Sequence, residues 1–173
     1  MDLEEKVLKA KKGDDNAFYE LISERKEMLY RTAYTYVKNK DEALDILDET
    51  IYKAYISIKK LKDPRFFNTY LTRILINISL DHIRKNKKIN VVELKDNIPI
   101  EKANLSFEEK HDLKEAVNKL DEKYKTVIIL KYFQDMTIQE ISDTLSCPLG
   151  TIKSQLHKAL KLLKIDLKEG ELI

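Results

Sequence analysis

The sequence predicts an all-α protein made of two small helical domains joined by a flexible linker. Three observations carry that expectation. Turn chemistry is sparse, with three Gly, three Pro and no Trp in 173 residues, so little punctuates the chain except helix ends. Apolar residues recur at helical spacing almost throughout. That periodicity fades between Asn86 and Leu105, where Lys87, Lys88, Val91, Val92, Pro99 and Asn104 form no apolar stripe. A patternless stretch of roughly 20 residues is longer than a usual loop inside a domain. Residues 89–106 are therefore the expected linker, between domains at 1–88 and 107–173.

Taken in order, Val7 to Lys11 carries the first helical pattern, which stops at Gly13. Asp14 or Asp15 offers an N-cap for a long helix holding Phe18, Leu21, Ile22, Leu29, Ala33, Tyr36 and Val37. Asn39-Lys40 breaks that helix, and Asp41 is expected to cap the next, which carries Ala43, Leu44, Leu47, Ile51, Ala54, Tyr55 and Ile58. Asp63-Pro64 ends it, because the residue before proline is driven out of the helical region. Phe66 to Arg84 reads as a third strong helix through Phe67, Tyr70, Leu71, Ile74, Ile78 and Ile83. These make one bundle of about 85 residues, near the lower size for a self-sufficient core. After the linker, Ser106-Phe107-Glu108-Glu109 has a capping-box pattern and opens a helix to about Lys119. A helix from Glu122 to Phe133 follows, with Val127, Ile128, Leu130 and Phe133 as its apolar positions. Thr137-Ile138-Gln139-Glu140 is a second capping box, followed by a short helix to Leu145, a tight turn and a last helix from Leu149 to Leu167.

Composition narrows the class. Hydrophobic residues make up 43% and charged ones 36%, too apolar a balance for wholesale disorder. The single cysteine excludes an internal disulfide framework and fits a reducing, cytoplasmic setting. No apolar run approaches the ~20 residues of a membrane span, and the N-terminus has no signal-peptide pattern. Net charge is only +2, so any surface for a polyanion must come from local segregation. Segregation is present: no Asp or Glu occurs between Asp143 and Asp166, whereas Lys153, Lys158, Lys161 and Lys164 all do.

The C-terminal pair of helices has the helix-turn-helix outline. Ile138, Ile141 and Leu145 can pack inward, and Ile152, Leu156, Ala159 and Leu163 give the last helix a buried stripe. Lys153, Ser154, His157, Lys158 and Lys161 are left for the other face, as a DNA-reading helix requires. Gly150 permits close backbone approach there, and Pro148 suits a first-turn position. The other reading is a solvated basic face on an ordinary helical hairpin. Cys147 and His157 do not make a metal site, since zinc needs three or four protein ligands and none completes the set. In the N-terminal domain Asp41, Glu42, Asp45, Asp48 and Glu49 crowd one helix, with Asp45 and Glu49 sharing a face at i, i+4. Such repulsion fits either a partner-binding patch or a solvated acidic face. Arg84, Lys85, Lys87 and Lys88 accumulate at the end of the third helix, where the helix dipole alone favours cations. Phe66, Phe67 and Tyr70 precede them, in the mix of aromatic and basic residues that suits single-stranded nucleic acid or, equally, a core. No nucleophile–base pair, glycine-rich phosphate loop or metal-spaced carboxylate set occurs, so neither an enzyme, a small-molecule substrate nor a cofactor is expected.

Three segments, in order, resemble the extracytoplasmic-function (ECF) sigma factors of the sigma-70 family, promoter-recognition subunits of bacterial RNA polymerase. E-A-L-D-I-L-D-E-T (Glu42–Thr50) resembles the family's E-A-E-D-L-V-Q-E-T helix. F-F-N-T-Y-L-T-R-I-L-I-N-I-S-L-D-H-I-R-K (Phe66–Lys85) resembles its F-R-x-W-L-x-R-I-A-x-N-x-x-x-D-x-L-R-R helix. Leu120–Ala159, with G-T-I-K-S-Q-L-H-K-A at its end, resembles its C-terminal domain. The resemblance implies a sigma-2 domain at 1–88 and a sigma-4 domain at 107–173. It implies that Asp45, Leu47, Asp48 and Glu49 dock on core polymerase. Tyr70, Arg73, Asn77, Arg84, Lys85, Lys87 and Lys88 would meet the −10 element of promoter DNA. Thr151, Lys153, Ser154, Gln155, His157, Lys158 and Lys161 would meet the −35 element. Asp48 stands where the family usually has Gln, Tyr70 where it has Trp, and Gln155 and Lys158 where it has Arg. Lys cannot make the two-pronged contact of Arg. The segments Y-V-K-N-K-D-E-A-L-D-I and K-Y-K-T-V-I-I-L-K-Y-F resemble the sigma-V subgroup. That subgroup answers envelope stress and is held by a membrane-anchored anti-sigma factor. A stand-alone helix-turn-helix regulator is the alternative function.

Overall fold

The computed structural model describes residues 2–89, 113 and 115–170, with side chains except at 87–89 and 165–170. The chain divides into two compact units, 1–97 and 98–173. Every described element is helical. The expected linker beyond Ile89, the Ser106–Glu109 capping box and the start of the helix after it lie outside the described residues.

In the first unit α1 spans Leu3–Lys11, capped by Asp2, whose carboxylate accepts the Glu5 N–H at 2.8 Å. It closes in a Schellman arrangement: Gly13 N–H reaches Ala10 O and Asp14 N–H reaches Lys9 O. That arrangement requires the positive φ of +98° at Gly13, open to glycine without strain. Asp14 then caps α2 (Asp15–Ser23), accepting from Ala17 N–H at 3.0 Å. The single long helix expected to Val37 is in fact two. The chain turns at Glu24–Arg25, where Arg25 has φ −115°, before α3 (Lys26–Val37) begins. Lys6 of α1 bridges to Glu20 and Glu24 across that turn. Lys38 ends α3 in the left-handed region at φ 53°. The next cap is also corrected, since Asn39 rather than Asp41 receives the Asp41 and Glu42 N–H groups. Asp41 lies instead in the first turn of α4 (Lys40–Ser57), where its charge suits the helix dipole.

Short 3₁₀ turns at Ile58–Lys60 and Pro64–Phe66 lead into α5 (Phe67–Ile89), which starts one residue later and runs five further than the periodicity predicts. Helices α3, α4 and α5 pack on one another, and α1 packs on α2 and on both 3₁₀ turns. Leu29, Ala43, Ile46, Leu47, Phe67, Leu71 and Leu75 form the centre, each at most 1% exposed. Phe67 is thus core, while its neighbour Phe66 is half-exposed.

In the second unit residues 115–119 are helical, followed by α6 (Glu122–Ile128). The helix expected to continue to Phe133 loosens into a π turn over Ile129–Phe133, where Gln134 N–H bonds Ile129 O five residues back. Helix α7 (Ile138–Leu145) has the predicted capping box: Glu140 N–H to Thr137 Oγ1 at 3.2 Å and Thr137 N–H to Glu140 Oε2 at 2.7 Å. Ser146, left-handed at φ 52°, turns the chain into α8 (Leu149–Gly170). Ser142 locks that turn from both sides, its carbonyl taking the Cys147 N–H and its hydroxyl donating to Cys147 O. Pro148 precedes α8 as a cap rather than joining the first turn, its carbonyl receiving the N–H groups of Thr151 and Ile152. Helices α6 and α7 pack against α8 through a core of Val127, Leu130, Ile141, Ile152 and Ala159.

Candidate nucleic-acid and partner interfaces

Helix α8 divides as its spacing predicts. Ile152, Leu156, Ala159 and Leu163 are buried, while Thr151, Lys153, Ser154, His157, Lys158 and Lys161 are all exposed. Gln155 is half-buried at the edge between those sets. The exposed arc carries three lysines, a histidine and two hydroxyls, with Gly150 adding no bulk at its start. Donors of this kind on a rigid helix, braced by a capped partner across a short turn, suit phosphate oxygens and base edges. Cys147 is a free thiol in the turn, and no metal-competent cluster exists among the described residues. Of the expected inward residues of α7, Ile141 is fully buried, whereas Ile138 and Leu145 are half-buried.

Helix α5 brings Arg73, Asn77 and Arg84 to one exposed stripe at i, i+4 and i+11, with Lys85 exposed beside it. Arg84 has a neighbouring carboxylate in Asp81 at 3.5 Å, a pair exposed on both sides. Tyr70 shares the register of that stripe, one turn before Arg73, but is less exposed. It is half-buried, its hydroxyl donates to Ala54 O at 3.1 Å and lies 2.6 Å from Ser57 Oγ, and burial pushes its phenol pKa up. These contacts pin the end of α4 to α5, a packing role. The Lys87 and Lys88 side chains lie outside the described residues.

Helix α4 turns Asp45, Asp48 and Glu49 to solvent, but Leu47 is 1% exposed and belongs to the core. Its inward register is set by Ala43, Ile46, Thr50 and Ala54 on the same face. What flanks the acids instead is apolar: Leu44, Tyr52 and Ile56, 46%, 64% and 59% exposed. With Asp48 they form an unbroken i, i+4 row along the helix. Sequence reasoning counted Leu44 among the apolar positions of the helix and did not single out Tyr52 or Ile56. The available signal was that α4 carries apolar residues all round, more than one buried face can hold. An exposed apolar row edged with like charge is a candidate contact surface.

A further residue, Glu42, ties these helices together. Its Oε2 lies 2.8 Å from His82 Nε2 and accepts from Asn86 Nδ2 at 3.3 Å, so the start of α4 is fastened to the basic end of α5. The acidic and basic elements are thus joined within one compact unit.

Comparisons with known proteins agree on what carries such surfaces. Residues 21–89 match the family model described as Sigma-70 region 2, and residues 110–163 match Sigma-70, region 4. The chain is 36% identical to the RNA polymerase sigma factor SigV of Bacillus subtilis over 151 residues, 87% of this chain and 91% of that protein. It is 30% identical to the ECF RNA polymerase sigma factor SigW of the same organism, covering 98% of each. Among solved structures, CnrH, in complex with the cytosolic domain of CnrY, superposes with a TM-score of 0.74 over 96% of this chain and 97% of that one, at 19% identity. The sigma factor RpoE of Bartonella quintana, in complex with the anti-sigma factor NepR, gives 0.71 over 86% and 97%, at 23% identity. At those identities the two structures establish a shared fold. The chain belongs to the ECF sigma factors of RNA polymerase, and is an alternative transcription initiation factor rather than an enzyme.

Proposed function

We propose that this sigma factor docks on core RNA polymerase through the outer face of α4 and presents α5 and α8 to the −10 and −35 elements of a promoter. The observation that carries the reading is the division of α8: four residues buried, six donor-bearing residues exposed, and no acid between Asp143 and Asp166. On this reading Lys153, His157, Lys158 and Lys161 meet phosphates, Thr151 and Ser154 reach base edges, and the half-buried Gln155 lies at the rim of the same DNA-facing arc. Arg73, Asn77, Arg84, Lys85, Lys87 and Lys88 serve the −10 element, with Tyr70, half-buried in the same register, bracing the start of that face against α4. Asp45, Asp48 and Glu49, joined by Leu44, Tyr52 and Ile56, meet the polymerase, while Leu47 holds α4 in place from the core.

The domains at 1–88 and 107–173 are then the sigma-2 and sigma-4 parts, with 89–106 as the connection. The likeness to SigV supports a role in an envelope-stress response. Complexes of two fold relatives, one of them with an anti-sigma factor, support control by an anti-sigma factor. If that inhibitor is membrane-anchored, the chain is held at the cytoplasmic face until released. No helix among the described residues is long and apolar enough to cross a membrane.

The test is reconstitution. The purified chain, added to core RNA polymerase, is expected to yield transcripts from specific promoters that core enzyme alone does not start. No transcript from any promoter of its source genome, together with protection of a palindrome by the chain alone, would favour a stand-alone helix-turn-helix regulator.

A further inference from the structure

The second unit holds a positively charged cluster that lies partly outside the recognition helix. Helix α6 packs against α8 and brings Lys123 and Tyr124 up to it. Lys123 Nζ stands 4.9 Å from the centre of the Tyr124 ring, and Lys158 Nζ stands 5.4 Å from the same centre. Both lysines are exposed, while Tyr124 is 6% exposed. Two ammonium groups thus share one aromatic ring. Among the described residues no ion pair involves either of them.

We propose that Lys123, Tyr124 and Lys158 form a two-ammonium seat for the phosphodiester backbone of the DNA that α8 faces. The inference rests on the reading of α8 as the DNA helix and adds to it a residue of another helix, Lys123, and a positioning residue, Tyr124. Like charges gathered without an ion-paired carboxylate repel each other in the free protein, and the ring offsets only part of that. An anion between them turns the repulsion into attraction. The nearness of the ammonium groups, Lys158 first and Lys123 with it, holds the Tyr124 phenol pKa below its usual value. Placement favours a backbone phosphate over a base. Lys158 is one turn beyond exposed Ser154 and three residues beyond half-buried Gln155, so it lies at the rim of the exposed arc. The rim of a helix in the major groove meets the groove walls, where the phosphates run. The ring also restrains a flexible lysine stem, so less side-chain freedom is lost when the phosphate binds.

The test uses the full chain and a fluorescent DNA duplex of about 30 base pairs, with anisotropy read from 50 to 200 mM salt. Each lost phosphate contact lowers the slope of log K against log salt by about 0.9, or roughly 3.5-fold across that range. Lys123→Ala and Lys158→Ala are each expected to lower it by that amount. Tyr124→Leu should weaken binding about 2- to 5-fold, the range of an exposed cation–π contact, and Tyr124→Phe much less. In a chain also carrying Lys123→Ala and Lys158→Ala, Tyr124→Leu should have no further effect. A normal slope for Lys123→Ala beside a lowered one for Lys158→Ala would overturn the seat but leave α8 as the DNA helix. Normal slopes for both would overturn the reading of α8 itself. An equal loss from Tyr124→Leu with and without the lysines would mark the ring as structural only, and circular dichroism melting of each variant excludes unfolding as the cause.

Discussion

Reversing Asp45 and Glu49 together (Asp45→Lys, Glu49→Lys) separates what α4 does for the fold from what it does for a partner. Both side chains are exposed, and α4 packs inward through Ala43, Ile46, Leu47, Thr50 and Ala54, so neither charge touches the core. The ion pair at risk is Glu49 to Lys53, 2.6 Å apart at i, i+4 with both side chains about half exposed. Such a pair is worth about 0.3–0.5 kcal/mol, and the like-charge pair that replaces it costs a similar amount. Asp45 and Glu49 already repel each other, and reversing both preserves that repulsion. The total is about 1 kcal/mol against the 5–15 kcal/mol of a typical domain, or a Tm lower by about 4–8 °C. At an interface, by contrast, opposed like charges cost several kcal/mol; about 3 kcal/mol corresponds to a loss of more than 100-fold. Circular dichroism melting and equilibrium binding to core RNA polymerase at fixed salt read the two effects apart. The expected result is a folded variant that no longer binds. Wild-type affinity in a folded variant would refute α4 as the docking surface, and a melting loss well beyond 8 °C would refute the claim that these charges stand clear of the fold.

Three other outcomes follow from the local chemistry. Thr137→Ala removes one half of the capping box and should cost the second unit about 1 kcal/mol, read as an earlier melting transition. Lys38→Gly relieves a left-handed backbone at φ 53° and should stabilise the first unit by up to about 1 kcal/mol; a lower Tm would show that the half-buried lysine stem matters more than its backbone. The hydrogen bond from Lys6 holds the Glu24 carboxyl below its ordinary pKa of 4.5. Because the folded value is the lower one, this contribution is present above about pH 4.5 and fades as pH falls through the folded value. In acid titrations followed by circular dichroism, Lys6→Met should therefore lower stability near neutrality and converge with the wild type in strong acid.

Features encoded within a few residues were legible in the sequence. The Thr137–Glu140 capping box and the Ile152, Leu156, Ala159, Leu163 stripe depend only on local spacing, and both stand in the structure as read. Features decided by packing were not. Nothing between Asp14 and Val37 is a helix breaker, so the turn at Glu24–Arg25 left no mark in the sequence; Lys6 of α1, which packs on α2, bridges to Glu20 and Glu24 there. Asn39 and Asp41 are both good caps, and their spacing alone could not choose between them. The π turn at Ile129–Phe133 adds one residue to a helical turn without any compositional signal. Leu47 lies amid the acids in sequence yet points inward, because Ile46 and Leu47 both fall within the arc that α3 and α5 cover. The Glu42–His82–Asn86 tie joins residues 40 and 44 positions apart and is visible only once α4 and α5 are packed.

Footprinting of the reconstituted polymerase on one promoter tests the central claim most directly, that a single chain carries two DNA-reading surfaces and a polymerase-docking face. With the wild-type chain, protection is expected at both the −35 and −10 regions. With Lys153→Ala and Lys158→Ala together, protection should weaken upstream first and remain longer over the −10 region, more so as salt rises. Unchanged −35 protection in that variant, or the same two-site protection by the chain without polymerase, would contradict the account.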